Sequence, residues 1–115
     1  MNIIDDYSFG RIVINGRVYD HDVIIYPDRI KHNWWRREGH KLYPEDLKDV
    51  VDYKPEYLVI GTGASGMMDV PKETRKYLED NEINVIILNT YDACKKFNEL
   101  LKKGYRVVAA LHLTC

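Results

Sequence analysis

The sequence predicts an α/β fold of three layers: a mixed central sheet with a C-terminal βαβαβ unit, and an N-terminal antiparallel β meander or hairpin layer. Three observations lead to this fold class. Segments 57–61, 85–90 and 105–113 are rich in Val, Ile and Leu without clean alternation, as in strands that are buried on both faces. Amphipathic segments with a helical period separate them. Residues 1–43 instead carry short apolar runs that are broken by turn dipeptides.

The N-terminal third of the chain is predicted to form antiparallel strands. Asn15-Gly16 tolerates the positive φ angles of a type I′ hairpin turn, and Pro27-Asp28 and Glu38-Gly39 mark two later turns. These turns separate the predicted strands, which are 8–14, 17–19, 23–26, 30–36 and 40–43. The resulting meander must either extend the central sheet or form a layer upon it.

Helices are predicted at three places. Pro44 suits the first position of a helix because its missing N–H would be unpaired there anyway, and Leu47 and Val50 give that helix a short apolar stripe. Two longer amphipathic helices cover residues 71–81 and 91–103. Because these two alternate with apolar strands, the C-terminal half is expected to contain two right-handed crossovers and a mainly parallel sheet.

Length and composition predict a single domain spanning residues 1–115 and narrow the class of function. A hydrophobic content of 45% with 30% charged residues suits a folded protein rather than a disordered chain. The formal net charge of −1 argues against a general nucleic-acid binder, which would need clustered cations. No apolar run reaches the length of a membrane span, so we expect no membrane association. Two cysteines without a disulfide framework or an export signal point to the cytoplasm.

Three glycines with the spacing GxGxxG, Gly61, Gly63 and Gly66, follow the first buried strand, at the sheet edge where ligands bind in open α/β folds. Backbone N–H groups of this loop and the hydroxyls of Thr62 and Ser65 are predicted to bind a small anion or a carboxylate. A dinucleotide is disfavoured, because no helix follows directly and the next strand does not end in an acidic residue. A purely conformational use of the glycines in a tight connection is the alternative.

A second group of candidates lies on the helix 91–103. Thr90 is predicted to cap its N-terminus, which places Cys94 in the first turn, where the helix dipole lowers the pKa of a thiol. The competing interpretation is a buried core cysteine, since Cys94 shares a helical stripe with Phe97 and no histidine is placed to serve it as a base. Asn98 either satisfies local backbone groups or lines the crevice.

The remaining chemistry-bearing residues form no recognised catalytic or metal pattern. Trp34 and Trp35 lie on a cationic segment, and since neighbours on a strand face opposite ways, we expect one of them to pack inward. This segment suits a partner-binding surface, an ordinary solvated hairpin or a single-stranded nucleic-acid platform. The histidines and cysteines show no ligand spacing, so neither a metal nor another cofactor is predicted. His112 alternates with Ala110 and Thr114 near the last strand's end and is able to reach the crevice.

The C-terminal half combines several motifs that occur together in one protein family. These motifs are segment 59–63, Pro71 at the start of a helix, Thr90 with Ala93, Cys94 and Asn98, and segment 106–111. With them the chain resembles a domain-of-unknown-function family of small archaeal and bacterial hypothetical proteins. Its eukaryotic relatives include an adipogenesis-associated protein and a mitochondrial complex I assembly factor. The resemblance implies a compact three-layer α/β fold with a mixed central sheet, and it implies no enzymatic reaction.

Together these observations predict a non-catalytic binding or assembly protein. Its crevice, at the carboxyl ends of the parallel strands, is expected to hold a small anionic ligand or the acidic group of a partner protein. The predicted ligand-binding residues are Gly61, Thr62, Gly63, Ser65, Thr90, Cys94 and Asn98. The alternative is a small enzyme that uses Cys94 as a nucleophile or a backbone oxyanion nest at residues 61–63, with Asn98 or His112 assisting.

Overall fold

The computed structural model describes residues 1–115 as strands, helices and the turns that connect them. The strands are β1 (Ile4–Ser8), β2 (Arg11–Ile14), β3 (Arg17–Tyr19), β4 (Val23–Ile25), β5 (Ile30–Lys31), β6 (Tyr57–Gly61), β7 (Asn84–Leu88) and β8 (Val107–Leu111). The helices are α1 (Lys48–Tyr53), which continues from a 3-10 turn at Pro44–Leu47, α2 (Lys72–Asp80) and α3 (Thr90–Lys102). No helix combines the length and the apolar content needed to cross a membrane.

Two sheets organise the chain. The central sheet has the strand order β5-β4-β8-β6-β7, in which β6 runs parallel to both of its neighbours while β4 runs antiparallel to β8 and to β5. Strands β1, β2 and β3 form a separate antiparallel sheet. The predicted three-layer α/β class, with a mixed central sheet and a C-terminal βαβαβ unit, is confirmed. The N-terminal strands do two things: β1 to β3 form the additional layer, and β4 and β5 extend the central sheet.

Two hydrophobic cores lie on opposite faces of the central sheet. Alternate residues of β6 enter different cores, because Val59 packs into one and Leu58 and Ile60 pack into the other. The first core lies under the three-stranded sheet and α3, whereas the second contains residues of α1 and α2 together with Trp34 and Leu42. A strand buried on both faces must be apolar along its length, which explains why the sequence of β6 does not alternate.

The first hairpin is confirmed, but the strand predicted before it is confirmed only over Arg11–Ile14, which form β2. Asn15 and Gly16 have φ angles of +51° and +76°, as a type I′ turn requires at both central positions. The predicted strand 8–14 is divided by a turn in which Gly10 has a φ of +74°. Pairing therefore begins earlier than predicted, at Ile4.

The predicted strand 30–36 is confirmed only at Ile30–Lys31, which form β5. The predicted strand 40–43 is wrong, since Lys41 forms only isolated bridges there. Asn33 instead adopts a φ of +57°, which turns the chain. The N–H of Trp34 then donates a 2.8 Å hydrogen bond to the carbonyl oxygen of Asp22. This tertiary bond satisfies the backbone without a strand partner and holds the segment against the start of β4.

The N-terminus of α3 is capped by Asn89, so the prediction that Thr90 caps this helix is wrong. Asn89 has extended backbone angles, and its Oδ1 accepts a 3.0 Å hydrogen bond from the N–H of Asp92. Thr90 is the first helical residue, and its side chain is fully buried. Its hydroxyl is consequently available to connect α3 to the glycine loop and to β8.

Candidate functional site

The glycine loop, defined here as residues 61–67, lies at the carboxyl end of β6 and is packed tightly against its surroundings. A Cβ atom on Gly61 would lie 2.8 Å from Leu111 Cδ2 and 2.9 Å from Thr90 Oγ1. Gly63 has a φ of +109°, and a Cβ atom there would lie 2.2 Å from the carbonyl carbon of Cys115. Both positions therefore require glycine for close packing, as in the conformational alternative considered from the sequence.

Most backbone N–H groups of the glycine loop are already hydrogen-bonded within the protein. Gly63 N–H donates to Thr90 Oγ1 at 2.8 Å, and Ala64 N–H donates to the carbonyl of Thr114 at 2.7 Å. Gly66 N–H donates to Gly63 O, and Met67 N–H to Cys115 O. An anion site needs several convergent free N–H groups, so the predicted backbone nest for an anion or oxyanion is wrong.

The hydroxyls that were predicted to assist the loop serve the fold instead. Thr62 Oγ1 donates to the carbonyl of Leu88 at 3.1 Å. Thr90 Oγ1 accepts the bond from Gly63 and donates to the carbonyl of His112 at 2.6 Å. Of the three residues whose hydroxyls were predicted to bind a ligand, only Ser65 is exposed, at the tip of the loop. One free hydroxyl on an exposed tip does not make a cradle for a ligand.

Cys94 and Asn98 lie at a different place, where α3 packs against β1. Burial, with a smaller contribution from the negative charge of Asp6, raises the pKa of the Cys94 thiol to about 12. The thiol is therefore protonated at neutral pH, which contradicts its interpretation as a nucleophile. Asn98 Oδ1 accepts from the N–H of Ile4 at 2.9 Å, and its Nδ2 donates to the carbonyl of Ile4 at 2.7 Å. Both polar atoms of Asn98 are thus engaged by the backbone of β1.

A pocket of about 320 Å³ opens beside the glycine loop, at the edge shared by β4 and β8. Val23 of β4 pairs with Leu111 of β8, and because these strands are antiparallel, Asp22 and His112 become neighbours just beyond them. We call this the β4–β8 pocket. It is lined by Asp20, His21, Asp22, Asn33, Trp34, Trp35, Arg36, Gly39, His112 and Thr114.

Asp22 is the centre of the polar groups in the β4–β8 pocket. Its Oδ2 lies 2.8 Å from His112 Nδ1 and 2.8 Å from Arg36 Nη1, and its Oδ1 accepts from the N–H of Leu113 at 2.7 Å. Burial by itself raises the pKa of this carboxyl. The hydrogen bonds from His112 and Leu113, with the charge of Arg36, outweigh burial and hold the pKa below its ordinary value. Asp22 is therefore ionised at neutral pH.

The ionised Asp22 determines which nitrogen of His112 carries the proton. A carboxylate only accepts hydrogen bonds, so we assign the proton to Nδ1, which faces Asp22 Oδ2. Nε2 is then an acceptor, and its neighbour is the hydroxyl of Thr114 at 3.4 Å. The contact with Asp22 holds the imidazole in one orientation.

Arg36 is buried but incompletely hydrogen-bonded. Its side chain is 4% exposed, and its guanidinium carbon lies 4.6 Å from the centre of the Trp34 ring. Nη2 donates to the carbonyl of Gly39 at 2.9 Å, and Nη1 forms the ion pair with Asp22. Nε has no hydrogen-bond partner. A buried donor without an acceptor costs free energy, and such groups are rare in folded proteins.

Trp34 and Trp35 occupy opposite environments, as predicted. Trp34 is 4% exposed, and its indole N–H donates to the carbonyl of Asp46 at 3.3 Å. Trp35 is 80% exposed at the rim of the pocket, with its ring centre 6.4 Å from that of His21. The two residues that flank Trp35, Trp34 and Arg36, are both buried. Trp35 is thus an exposed aromatic residue on a firmly held backbone.

Sequence reasoning placed His112 near the crevice but missed Asp22 and Arg36. Asp22 directly precedes a predicted strand, which is a recognisable position for a residue at a sheet edge. The missing signal was the pairing of β4 with β8, which no local pattern encodes. No set of three or more His, Cys, Asp or Glu side chains is arranged to hold a metal ion.

Comparison with known families gives one match along most of the chain. Residues 4–112 match a family described as "Protein of unknown function (DUF498/DUF598)". The matched range includes both the glycine loop and the residues Asp22, Arg36 and His112. The description assigns neither a reaction nor a ligand.

Solved structures with the same fold come from several prokaryotes. The chain is 35% identical to a conserved hypothetical protein from Pyrococcus horikoshii OT3, with a TM-score of 0.83 over 97% of this chain and 98% of that one. It is 27% identical to a protein from Bartonella henselae described as an outer membrane protein, with a TM-score of 0.85 over 99% and 96%. A Mth938-like domain from Bordetella pertussis, 21% identical with a TM-score of 0.75 over 96% and 84%, shares the fold.

Proposed function

The chain belongs to the DUF498/DUF598 family of proteins of unknown function, and we propose that it is a non-catalytic binding or assembly protein that engages a partner protein at the β4–β8 pocket. This proposal keeps the binding function predicted from the sequence. It moves the site from the closed glycine loop to the pocket beside it, at the same edge of the central sheet.

The observation that carries the proposal is the exposure of Trp35 on a rigid backbone. Trp34 and Arg36 anchor the chain on either side, through the second core and through the ion pair with Asp22. A partner that buries Trp35 therefore has little backbone entropy to remove on binding. Tryptophan residues beside a pocket dominate the energetics of many protein interfaces.

The floor of the pocket supports the same function. Asp22 Oδ2 lies 2.8 Å from both Arg36 Nη1 and His112 Nδ1 and holds these two side chains in place, so the floor is polar and preorganised. Ligand sites typically combine such fixed polar groups with aromatic walls. Trp34 and Trp35 provide these walls.

The enzymatic alternative has less support than the binding function. It required either a reactive thiolate at Cys94 or free amides at residues 61–63. The thiol has a pKa of about 12, and the amide of Gly63 is paired with Thr90. We accordingly favour binding over catalysis.

A library of peptides displayed on phage tests this proposal, with selection on the wild-type protein and counter-selection on Trp35→Ala. We expect peptides that bind the wild-type protein and lose about tenfold or more in affinity with Trp35→Ala, as for an interface hot spot. Tyr105→Ala is the matched control. Tyr105 is also an exposed aromatic residue, but it precedes the start of β8, whereas the pocket lies at the end of that strand.

Two results would contradict the proposed binding function. The proposal is wrong if selection yields no peptide whose binding depends on Trp35. It is also wrong if Tyr105→Ala and Trp35→Ala weaken binding equally, because the effect is then not specific to the pocket. Thermal unfolding of both variants establishes that each remains folded.

A further inference from the structure

The group that enters the β4–β8 pocket can be identified by its charge, and we infer that it is a cationic side chain, an arginine or a lysine, of the partner protein. This inference rests on the proposed function and specifies the chemistry of the same site. The charge inferred for the partner's group is positive, whereas the sequence predicted an acidic group.

Negative charge exceeds positive charge in the lining of the pocket. Its lining contains the carboxylates of Asp20 and Asp22 and one guanidinium, that of Arg36. Arg36 lies 2.8 Å from Asp22, so these two charges neutralise each other. Asp20 remains without a compensating arginine or lysine in the lining. The two carboxylates and one guanidinium of the lining together leave an excess of one negative charge, which attracts a cation and repels an anion.

Asp20 lies at the rim of the pocket. Its side chain is 81% exposed, and Oδ1 lies 2.8 Å from His21 Nδ1. The His21 ring lies in turn beside the exposed ring of Trp35. A carboxylate oxygen and an exposed indole face are thus available at the same pocket mouth. The face of an indole carries negative electrostatic potential and attracts a guanidinium or ammonium group.

The guanidinium of Arg36, the one arginine or lysine side chain in the lining, is not free to bind an anion. The side chain of Arg36 is 4% exposed and already has Asp22 as its counter-ion. Most of the neighbouring amides of the glycine loop are paired within the protein. An incoming carboxylate would therefore meet Asp20 and the indole face before it reached any uncompensated positive charge.

The size of the pocket suits one side chain. Its volume of about 320 Å³ lies at the lower end of the roughly 300–1,000 Å³ range of small-molecule sites. An arginine side chain also offers a planar group that stacks on Trp35 while donating hydrogen bonds to Asp20. This arrangement leaves the ion pair of Asp22 with Arg36 intact.

The inference is tested with capped amino acids observed by the indole N–H resonance of Trp35. Nα-acetyl-arginine amide is titrated at constant pH beside its neutral isostere Nα-acetyl-citrulline amide, and beside Nα-acetyl-glutamate amide. We expect the arginine compound to shift the Trp35 signal and the other two to have little effect. Added salt should weaken the response, since the rim is exposed.

Variants at two exposed carboxylates provide the matched control. Asp20→Asn should weaken binding of the arginine compound by about threefold to fivefold, the effect of one exposed charge pair. Asp28→Asn makes the same change of charge at an exposed position beyond the other end of β4, and should leave binding unchanged. Equal effects of the two variants would show that only overall charge matters, and would overturn the inference.

The outcomes separate this inference from the proposed function. Selected peptides that depend on Trp35 but carry Asp or Glu, or a glutamate compound that binds better than the arginine compound, overturn the cation and leave the binding site standing. Binding of citrulline as strong as that of arginine also overturns it. Absence of both Trp35-dependent peptides and any shift of the Trp35 signal overturns both proposals.

Discussion

Nδ1 of His112 lies 2.8 Å from Oδ2 of Asp22, a residue 90 positions earlier in the chain. The antiparallel pairing of β4 with β8 creates this contact, because it brings the start of one strand to the end of the other. Arg36 completes the cluster from a loop that follows β5. The cluster forms the floor of the pocket beneath Trp35, so the stability of the fold and the shape of the candidate site depend on the same side chains.

Asp22→Asn is expected to destabilise the protein by about 3 kcal/mol at neutral pH, because it leaves the buried Arg36 guanidinium without its counter-ion. Chemical denaturation of the variant and the wild-type protein measures this difference. Asp28→Asn, at an exposed position, should change stability by no more than about 0.5 kcal/mol. A similarly small effect of Asp22→Asn would contradict the structural role assigned to the ion pair.

The stability of the wild-type protein should also depend on Asp22 at acidic pH. The pKa of this carboxyl is lowered in the folded protein, so its contribution is complete above the ordinary carboxyl pKa of about 3.9. It is lost as the pH falls below that value and through the lower pKa of the folded state. The free energy of unfolding, measured between neutral and acidic pH, should therefore decrease less steeply in Asp22→Asn. Parallel curves for the two proteins would disprove this linkage.

Cys94 is expected to resist alkylation in the native protein, because burial keeps its thiol protonated and out of contact with reagents. Cys115→Ser isolates Cys94 as the reporter, and the rate of modification is followed at neutral pH with and without denaturant. Reaction should be fast only when the protein unfolds. The reciprocal variant Cys94→Ser reports the half-buried Cys115 for comparison. Rapid native modification of Cys94 would revive the nucleophile interpretation.

Gly63→Ala is expected to lower stability by about 2–3 kcal/mol, since the new Cβ would lie 2.2 Å from backbone of Cys115 and the φ of +109° disfavours alanine. Gly39→Ala is the control, because no atom lies within 4 Å of its added Cβ and its φ is not positive. The midpoints of thermal unfolding compare the two variants. Equal midpoints would mean that the glycine loop tolerates side chains and is less tightly closed than the structure indicates.

Trp34→Ala and Trp35→Ala should have very different effects on stability although the two residues are adjacent. Removal of the buried Trp34 leaves a cavity in the second core and should cost about 3–5 kcal/mol. Removal of the exposed Trp35 should change stability by no more than about 0.5 kcal/mol. Denaturant midpoints measure both. A large loss with Trp35→Ala would indicate a folding role and weaken its assignment as a binding residue.

Local sequence pattern was sufficient to predict several elements that lie in the central sheet or pack against it. The hairpin turn at Asn15-Gly16, the buried strand β6 and the amphipathic helix α3 all follow from residue period and turn chemistry. The segment 30–36 misled the same reasoning, since its tryptophans favour a strand while a bond from Trp34 to Asp22 holds it as a loop.

Local pattern was less informative about the site. The glycines at 61 and 63 were correctly recognised as special, but their packing against Leu111, Thr90 and Cys115 shows that they allow close approach within the protein. A glycine motif looks the same in sequence whether its backbone meets a ligand or a neighbouring segment.

The amino-acid sequence by itself determined the class of fold, the alternation of strands and helices in the C-terminal half, and the edge of the sheet at which polar groups lie. These follow from hydrophobic period and chain connectivity, which are local or topological properties. Only the tertiary structure decided that the amides of the glycine loop are closed and that Asp22, Arg36 and His112 meet. Hydrogen bonds and ion pairs act over about 3 Å, so they depend on which distant segments the fold brings into contact.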